Sequence, residues 1–310
     1  MSTPVTIAIL NYQRRDALRG ALEAARAQRY APLEVLAVDN ASTDGSQEMV
    51  RDEFPDVHLV ALPENIAAAA RNEGVRAAKG EIVFTLDNDV LFTTPDDVAR
   101  GVAAFERHPR AAVVNCTILG PDGGLSRRDW CHPRDPGRWA DAEFLTDYVL
   151  EGASACRREA FLAAGGYWAP FFIGHEGWDL AMRLLDAGHE LVYSPTVRVR
   201  HMVDQTVRPS SRIYYTFTRN AIWVALRNMR PAAALASVAK DLTMMGFAAA
   251  RAGQLGAFAR GIADAARGAG QALETRRAMS QETARRLAEI RALKPSVAAM
   301  AWRHLRERLI

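Results

Sequence analysis

Over residues 5–86 the chain alternates short apolar runs with longer amphipathic segments, and this alternation limits the possible folds more than any composition figure does. Val5–Leu10, Leu33–Val38, Val57–Ala61 and Ile82–Leu86 read as strands, and Arg14–Arg29, Ser46–Phe54 and Ile66–Lys79 as the helices between them. Strands alternating with helices imply parallel βαβ units and an α/β sheet. Ligands of such sheets bind beyond the carboxyl ends of the strands. Two acidic positions fall at those ends: Asp39, opening the turn Asp39-Asn40-Ala41-Ser42-Thr43-Asp44-Gly45, and the pair Asp87 and Asp89, closing the run Phe84-Thr85-Leu86-Asp87-Asn88-Asp89.

Carboxylates are rarely set on apolar interior surface without a partner. Residues two apart in a strand face the same way, so Asp87 and Asp89 can aim at one point. A hard divalent cation of the Mg²⁺ or Mn²⁺ type suits them, because such ions take one or two carboxylates and leave their other positions to water and substrate phosphates. Taken alone, the pair also reads as a solvated strand-to-loop turn.

Beyond residue 90, Thr94-Pro95-Asp96-Asp97 opens a helix with an N-cap residue, proline and early acids. Ala111–Leu119 is a further strand, and residues 120–150, rich in Gly, Pro, Asp and Trp, read as a long acceptor-facing loop. A strand at Ala153–Cys156 and a helix ending at Gly165-Gly166 follow. After them come a helix over residues 177–188, strands at Leu191–Tyr193 and Val197–Arg200 ending in His201, and helical pattern to the C-terminus.

The 310 residues suffice for one large or two modest domains. Cys116, Cys131 and Cys156 are odd in number and lack C-x-x-C spacing, which disfavours a disulfide framework or a zinc site and fits a reducing cytoplasm. The N-terminus enters a strand with no basic and apolar leader, so secretion is not expected. No run of 18 consecutive apolar residues occurs, so no membrane span is expected. The overall charge of +3 conceals a division. Residues 206–310 carry 18 Lys and Arg against 6 Asp and Glu, whereas the remainder carries 21 against 30.

Read together, these pieces resemble family 2 glycosyltransferases of the GT-A fold. The resemblance rests on Val5-Thr6-Ile7-Ala8-Ile9-Leu10-Asn11-Tyr12, the Asp39–Ser46 turn, and Asn65 followed by Ala70-Arg71-Asn72-Glu73-Gly74. It rests also on the D-x-D of Asp87 and Asp89, Glu176-Gly177-Trp178-Asp179-Leu180, and Val199-Arg200-His201. It covers Val5 to His201, and implies a Rossmann-like nucleotide-binding sheet fused to an acceptor-binding half over residues 1–205, with a basic helical region over 206–310.

The resemblance also implies an activity, namely metal-dependent, inverting transfer of a hexose or deoxyhexose from a UDP- or dTDP-sugar to a glycan or lipid-linked acceptor. By the same likeness Asp89 and His201 ligate Mn²⁺ or Mg²⁺, Asp87 holds the ribose, Asp39 accepts the imide N–H of uracil or thymine, and Asn11 and Arg71 contact the nucleotide sugar. An ionised carboxylate is acceptor-only, which suits that imide. Asp39 also fits an Asx-turn residue, and Arg71 a solvated helix face. Relatives place their catalytic base where this chain has Gly177, which leaves Glu176 as first candidate and Asp179 as second.

In the C-terminal region Leu235, Val238, Leu242 and Met245 recur at helical spacing, and Trp302, Leu305 and Leu309 interleave with Arg303, Arg306 and Arg308. Basic amphipathic helices of this kind suit an anionic membrane surface, here the cytoplasmic face. The same pattern suits helices packed on the catalytic half or on a second subunit. Nucleic acid is not an expected partner, since no recognition motif accompanies the charge. Two rivals stand beside the transferase: a catalytically silent nucleotide- or glycan-binding assembly subunit, and a sugar-nucleotide pyrophosphorylase. The second is disfavoured because Asn11-Tyr12-Gln13-Arg14-Arg15 lacks the glycine-rich loop it would need.

Overall fold

The structure, a computed structural model, describes residues 2–202 and 210–292. Its elements begin with β1 (Val5–Asn11), α1 (Arg15–Arg26), β2 (Leu33–Asp39), α2 (Ser46–Glu53), β3 (His58–Ala61), α3 (Ala70–Ala77), β4 (Ile82–Asp87), β5 (Val90–Phe92) and α4 (Asp97–Arg107). They continue with β6 (Ala111–Leu119), α5 (Pro136–Trp139), β7 (Phe144–Leu145), β8 (Ala153–Arg157), α6 (Arg158–Ala163), α7 (Glu176–Asp186) and β9 (Glu190–His201). Five helices close the described chain: α8 (Ser210–Asn228), α9 (Pro231–Arg251), α10 (Leu255–Arg267), α11 (Ala269–Glu274) and α12 (Gln281–Arg291).

One mixed sheet runs β3-β2-β1-β4-β8-β6-β9-β5, with β7 also on β9. The first four strands are parallel. Helices cover both faces there, which explains why β1 and β4 read as nearly unbroken apolar runs. β8 then lies antiparallel to β4 and β6. The register places Asn11 beside Asp39 and Leu10 beside Asp87, so the acidic strand ends share one edge.

Three local expectations are revised. The segment from Ile66 starts as a 3-10 turn at Ala67–Ala69, because the side-chain oxygens of Asn40 and Asn65 take the N–H groups of Ile66 and Ala67, each at 2.9 Å. The two expected strands near residues 191 and 197 are one strand, β9, whose register against β6 jumps between Asn115–Tyr193 and Thr117–Arg198; that irregularity accommodates Pro195. The long loop over 120–150 holds α5 and β7. β5, three residues long, carries no periodic signal in the sequence and owes its existence to pairing with β9.

The expected boundary between residues 205 and 206 lies outside the described residues, as do Trp302, Arg303, Leu305, Arg306, Arg308 and Leu309. What is described of the helical region packs on the catalytic half. Trp223, Ala265, Met279 and Leu287 share one apolar core with Leu180, Leu184 and Leu191. Polar ties reinforce it: Ser280 N–H donates to Asp186 at 2.7 Å, Arg291 to Asp147 at 2.8 Å and Arg286 to Glu190 at 3.2 Å. α9 is the exception. At 21 residues and mean hydropathy 1.2 it is long and apolar enough to cross a membrane, although Lys240 and Asp241 interrupt it, and it is only 11% buried.

The α7–α8 contact centres on Asp179, which is wholly buried. It accepts from Arg183 at 2.6 Å, Arg227 at 2.9 Å and Asn228 at 2.7 Å. Burial pushes its carboxyl up, but Arg183 and Arg227 outweigh burial and hold it below the usual range. Removing one partner of a buried pair leaves an unpaired charge, which costs about 3–5 kcal/mol. Asp179→Ala is therefore expected to lower the unfolding free energy in urea by about that amount, and a loss below about 1 kcal/mol would contradict the role given to this cluster.

Candidate active site at the carboxyl edge of the sheet

The edge holds a chain of amides and carboxylates. Asn88 Nδ2 donates to Asn11 Oδ1 at 2.7 Å, and Asn11 Nδ2 donates to Asp39 Oδ1 at 2.9 Å. Asp39 Oδ2 accepts from the Ser42 backbone at 2.9 Å and from Gln47 at 2.8 Å. Asp39 is fully buried, and three of the roughly four acceptor positions of a carboxylate are taken. It is thus the turn residue of its loop, with one acceptor position on Oδ1 not taken by the described residues.

Asp87 pairs with Arg71, a buried side chain on α3 whose Nε has no partner among the described residues. Gly152 lies against the Asp87 carboxylate: a Cβ there would fall 2.3 Å from its carbon, so only glycine allows this approach. Asp89 pairs with Arg14 at 2.5 Å. The β5–β9 ladder sets Val90 opposite His201, and this pairing brings His201 Nε2 to 3.6 Å from Asp89 Oδ1. His201 Nδ1 lies 3.0 Å from Asp129, which also accepts from Ser126 at 2.7 Å.

Burial and the neighbouring Asp87 push the Asp89 carboxyl up despite His201 and Arg14. Burial pulls the His201 imidazole down, but its bond to Asp129 and the fields of Asp89 and Asp87 hold it above the usual value. The edge therefore has surplus negative charge that three cationic groups offset. No set of three or more His, Cys, Asp and Glu side chains forms an all-protein cage among the described residues. The donor set of Asp89, His201 and nearby Asp87 fits a hard divalent ion whose remaining positions belong to phosphate and water. Arg14, about half exposed, stands where such an ion would supply charge and is free to swing away.

Glu176 opens α7, is only 4% exposed, and its Oε2 has no partner among the described residues. Burial and the nearby Glu151 push its carboxyl up to about 8. Glu151 lies in the turn before β8 and is half-buried. Its Oε1 accepts from the Gly177 backbone at 2.7 Å and from the Tyr148 hydroxyl at 3.0 Å. Of the residues expected at the site, Asn11, Asp39, Arg71, Asp87, Asp89, His201 and Glu176 gather on this side of the sheet. Asp179 does not: it belongs to the buried Arg183–Arg227 cluster and cannot meet a substrate. Arg14, Asp129 and Glu151 escaped the sequence, since a basic residue before a helix and acids in irregular segments look like ordinary solvated positions.

Comparison with known proteins gives three results. The model described as "Glycosyl transferase family 2" matches residues 6–163. An N-acetylglucosaminyl-diphospho-decaprenol L-rhamnosyltransferase of Mycobacterium tuberculosis is 26% identical over 204 residues, 55% of this chain and 66% of that protein. The O-antigen biosynthesis protein RfbC of Myxococcus xanthus is 28% identical over 220 residues, 64% of this chain but 17% of that protein. The chain thus spans less than two thirds of the length of these relatives. Among solved structures, a mannosyltransferase from Pyrobaculum calidifontis in complex with GDP-Man and Mn²⁺ superposes with a TM-score of 0.59 at 22% identity, covering 96% of this chain and 82% of that one. That likeness is one of fold.

The raised Glu176 carboxyl has a consequence for stability. From about pH 4.5, its ordinary value, to about 8 the folded chain keeps a proton that the unfolded chain has lost. Stability falls as pH rises wherever the folded state binds more protons. Glu176→Gln removes this contribution, so the wild type is expected to lose at least about 1 kcal/mol more than the variant between pH 5 and 8 in urea titrations. Parallel pH profiles for the two would show that Glu176 is ionised in the fold.

Proposed function

Because the chain belongs to glycosyl transferase family 2, we propose that it transfers a sugar from a UDP- or dTDP-sugar to a lipid-linked glycan acceptor, with inversion at the anomeric carbon. The observation that carries this reading is the meeting of Asp87, Asp89 and His201 where the carboxyl ends of β4 and β9 meet the amino end of β5. Asp89 and His201 would hold a divalent ion, Mn²⁺ or Mg²⁺, whose bound form supplies Lewis-acid stabilisation to the departing diphosphate. Arg71 and Arg14 supply fixed positive charge beside the same oxygens, and the remaining Asp39 acceptor position suits an imide N–H. The mycobacterial relative's name supports a lipid-diphosphate-linked acceptor. Family membership removes the pyrophosphorylase rival, while the silent-subunit rival stays open through Gly177.

In calorimetry with UDP and Mn²⁺, Asp89→Ala is expected to abolish the metal-supported part of the affinity. Asp39→Asn is expected to cost about 1–3 kcal/mol, the scale of a hydrogen bond to a charged group. Unchanged UDP affinity in both variants would overturn this donor site.

We also propose peripheral association with the cytoplasmic face of a membrane through α9. Val238, Leu242 and Met245 are half-buried, whereas Leu235, Met244 and Phe247 are 73%, 52% and 67% exposed. Each large apolar side chain withdrawn from water contributes about 1.5–3 kcal/mol. Replacing Leu235 and Phe247 together by serine is expected to lower sedimentation with anionic phosphatidylglycerol vesicles by about tenfold or more. Equal sedimentation would favour a helix that only packs on protein.

A further inference from the structure

Gly177 is a glycine because its side-chain space is already occupied. A Cβ built there would fall 2.1 Å from the Val149 carbonyl oxygen, 2.5 Å from Glu151 Oε1 and 2.8 Å from Glu151 Cδ. The Val149 carbonyl is backbone and cannot yield, so the turn carrying Val149 and Glu151 excludes any side chain at this position. What fills the space is a carboxylate. It arrives from the turn before β8 and not from α7.

Several contacts hold that carboxylate in place. The Gly177 N–H and the Tyr148 hydroxyl both donate to Oε1, at 2.7 and 3.0 Å. The backbone is tied to β4 on the donor side, since Thr85 Oγ1 donates to the Glu151 carbonyl at 3.1 Å and Asp87 N–H donates to the Gly152 carbonyl at 3.1 Å. Glu151 is therefore adjacent to the residue that presses on Asp87. Its Oε2 takes no hydrogen bond from another of the described residues, and the residue keeps part of its surface exposed to solvent.

Two glutamates lie near one another here, and their surroundings divide their roles. Glu176 is sealed from solvent with an oxygen that has no partner among the described residues, so the neutral form is the one its surroundings favour. Glu151 receives two hydrogen bonds and feels the positive charge of Arg71, both of which favour the ionised form, while burial pushes its carboxyl somewhat above the usual range. Like charges close together keep one proton between them, and that proton belongs on Glu176.

On the transferase reading above, we propose that Glu151 is the catalytic base. The acceptor hydroxyl oxygen bonds to the anomeric carbon while its proton passes to Glu151 Oε2. The bond from that carbon to the nucleoside diphosphate breaks, and its electron pair departs on the diphosphate oxygen. Glu151 later returns the proton to solvent. On this assignment Gly177 marks a relocated base and not a silent protein.

The test uses the full chain with Mn²⁺, a panel of UDP-glucose, UDP-N-acetylglucosamine and dTDP-L-rhamnose, and a short-chain polyprenyl-diphosphate N-acetylglucosamine as acceptor. Glu151→Gln is expected to lower kcat by ~10²–10⁴-fold, with the donor Kd within about threefold of wild type. Glu151→Asp is expected to regain part of the loss, and Glu176→Gln to stay within about tenfold of wild type. A Glu151→Gln enzyme within about tenfold of wild type, or a Glu176→Gln enzyme that takes the larger loss, overturns the assignment and leaves the transferase reading standing. A wild-type chain that turns over none of the donors takes down the transferase reading, and the role of Glu151 with it.

Discussion

Two carboxylates one residue apart at the end of a buried strand are the constraint around which the rest is arranged. Asp87 and Asp89 repel one another, and Asp89 lies where water is scarce, so each is met by a cation within reach. The fold provides them from three directions. Arg71 comes from α3, Arg14 from the turn before α1, and His201 from the far end of β9, carried there by its ladder with β5. A site that holds negative charge with movable positive charge is prepared for a ligand that brings its own, such as a diphosphate with its ion.

The parallel half of the molecule was legible in the amino-acid sequence because burial on both faces leaves no doubt about apolar runs such as Val5–Leu10 and Ile82–Leu86. Asp39, Asp87 and Asp89 were legible for the same reason, since polarity at the end of such a run requires a cause. Asp179 was misleading. An acid in the first turn of a helix suits the macrodipole and a catalytic role alike, and only the three-dimensional packing of Arg183 and Arg227 around it shows that it is structural. The helical region divides in the same way. Its charge and spacing are equally those of a membrane-facing helix and of a packed one, and the structure leaves α9 largely exposed while it packs α8, α10 and α12 on the catalytic half.

Glu151 could not be read from the chain, because it lies in an irregular segment where no periodicity constrains an acid. The signal was indirect: a glycine at position 177. An absent side chain has two meanings, a lost function or a space filled from elsewhere, and sequence does not separate them. Atomic distances show that the space is filled, since the Val149 carbonyl and the Glu151 carboxylate together leave no room for a Cβ. Backbone close approach and carboxylate placement are thus one feature, tied through Gly152 and Asp87 to the donor edge.

The transfer we propose is a single displacement in which one base removes the acceptor proton while the nucleoside diphosphate departs from the opposite face. Product stereochemistry tests it most directly. With a donor of known anomeric configuration, the configuration of the new glycosidic bond is read from anomeric proton and carbon couplings in the NMR spectrum of the isolated product. Inversion relative to the donor is the predicted result, and retention would contradict it, because retention requires either two displacements or attack from the leaving-group face.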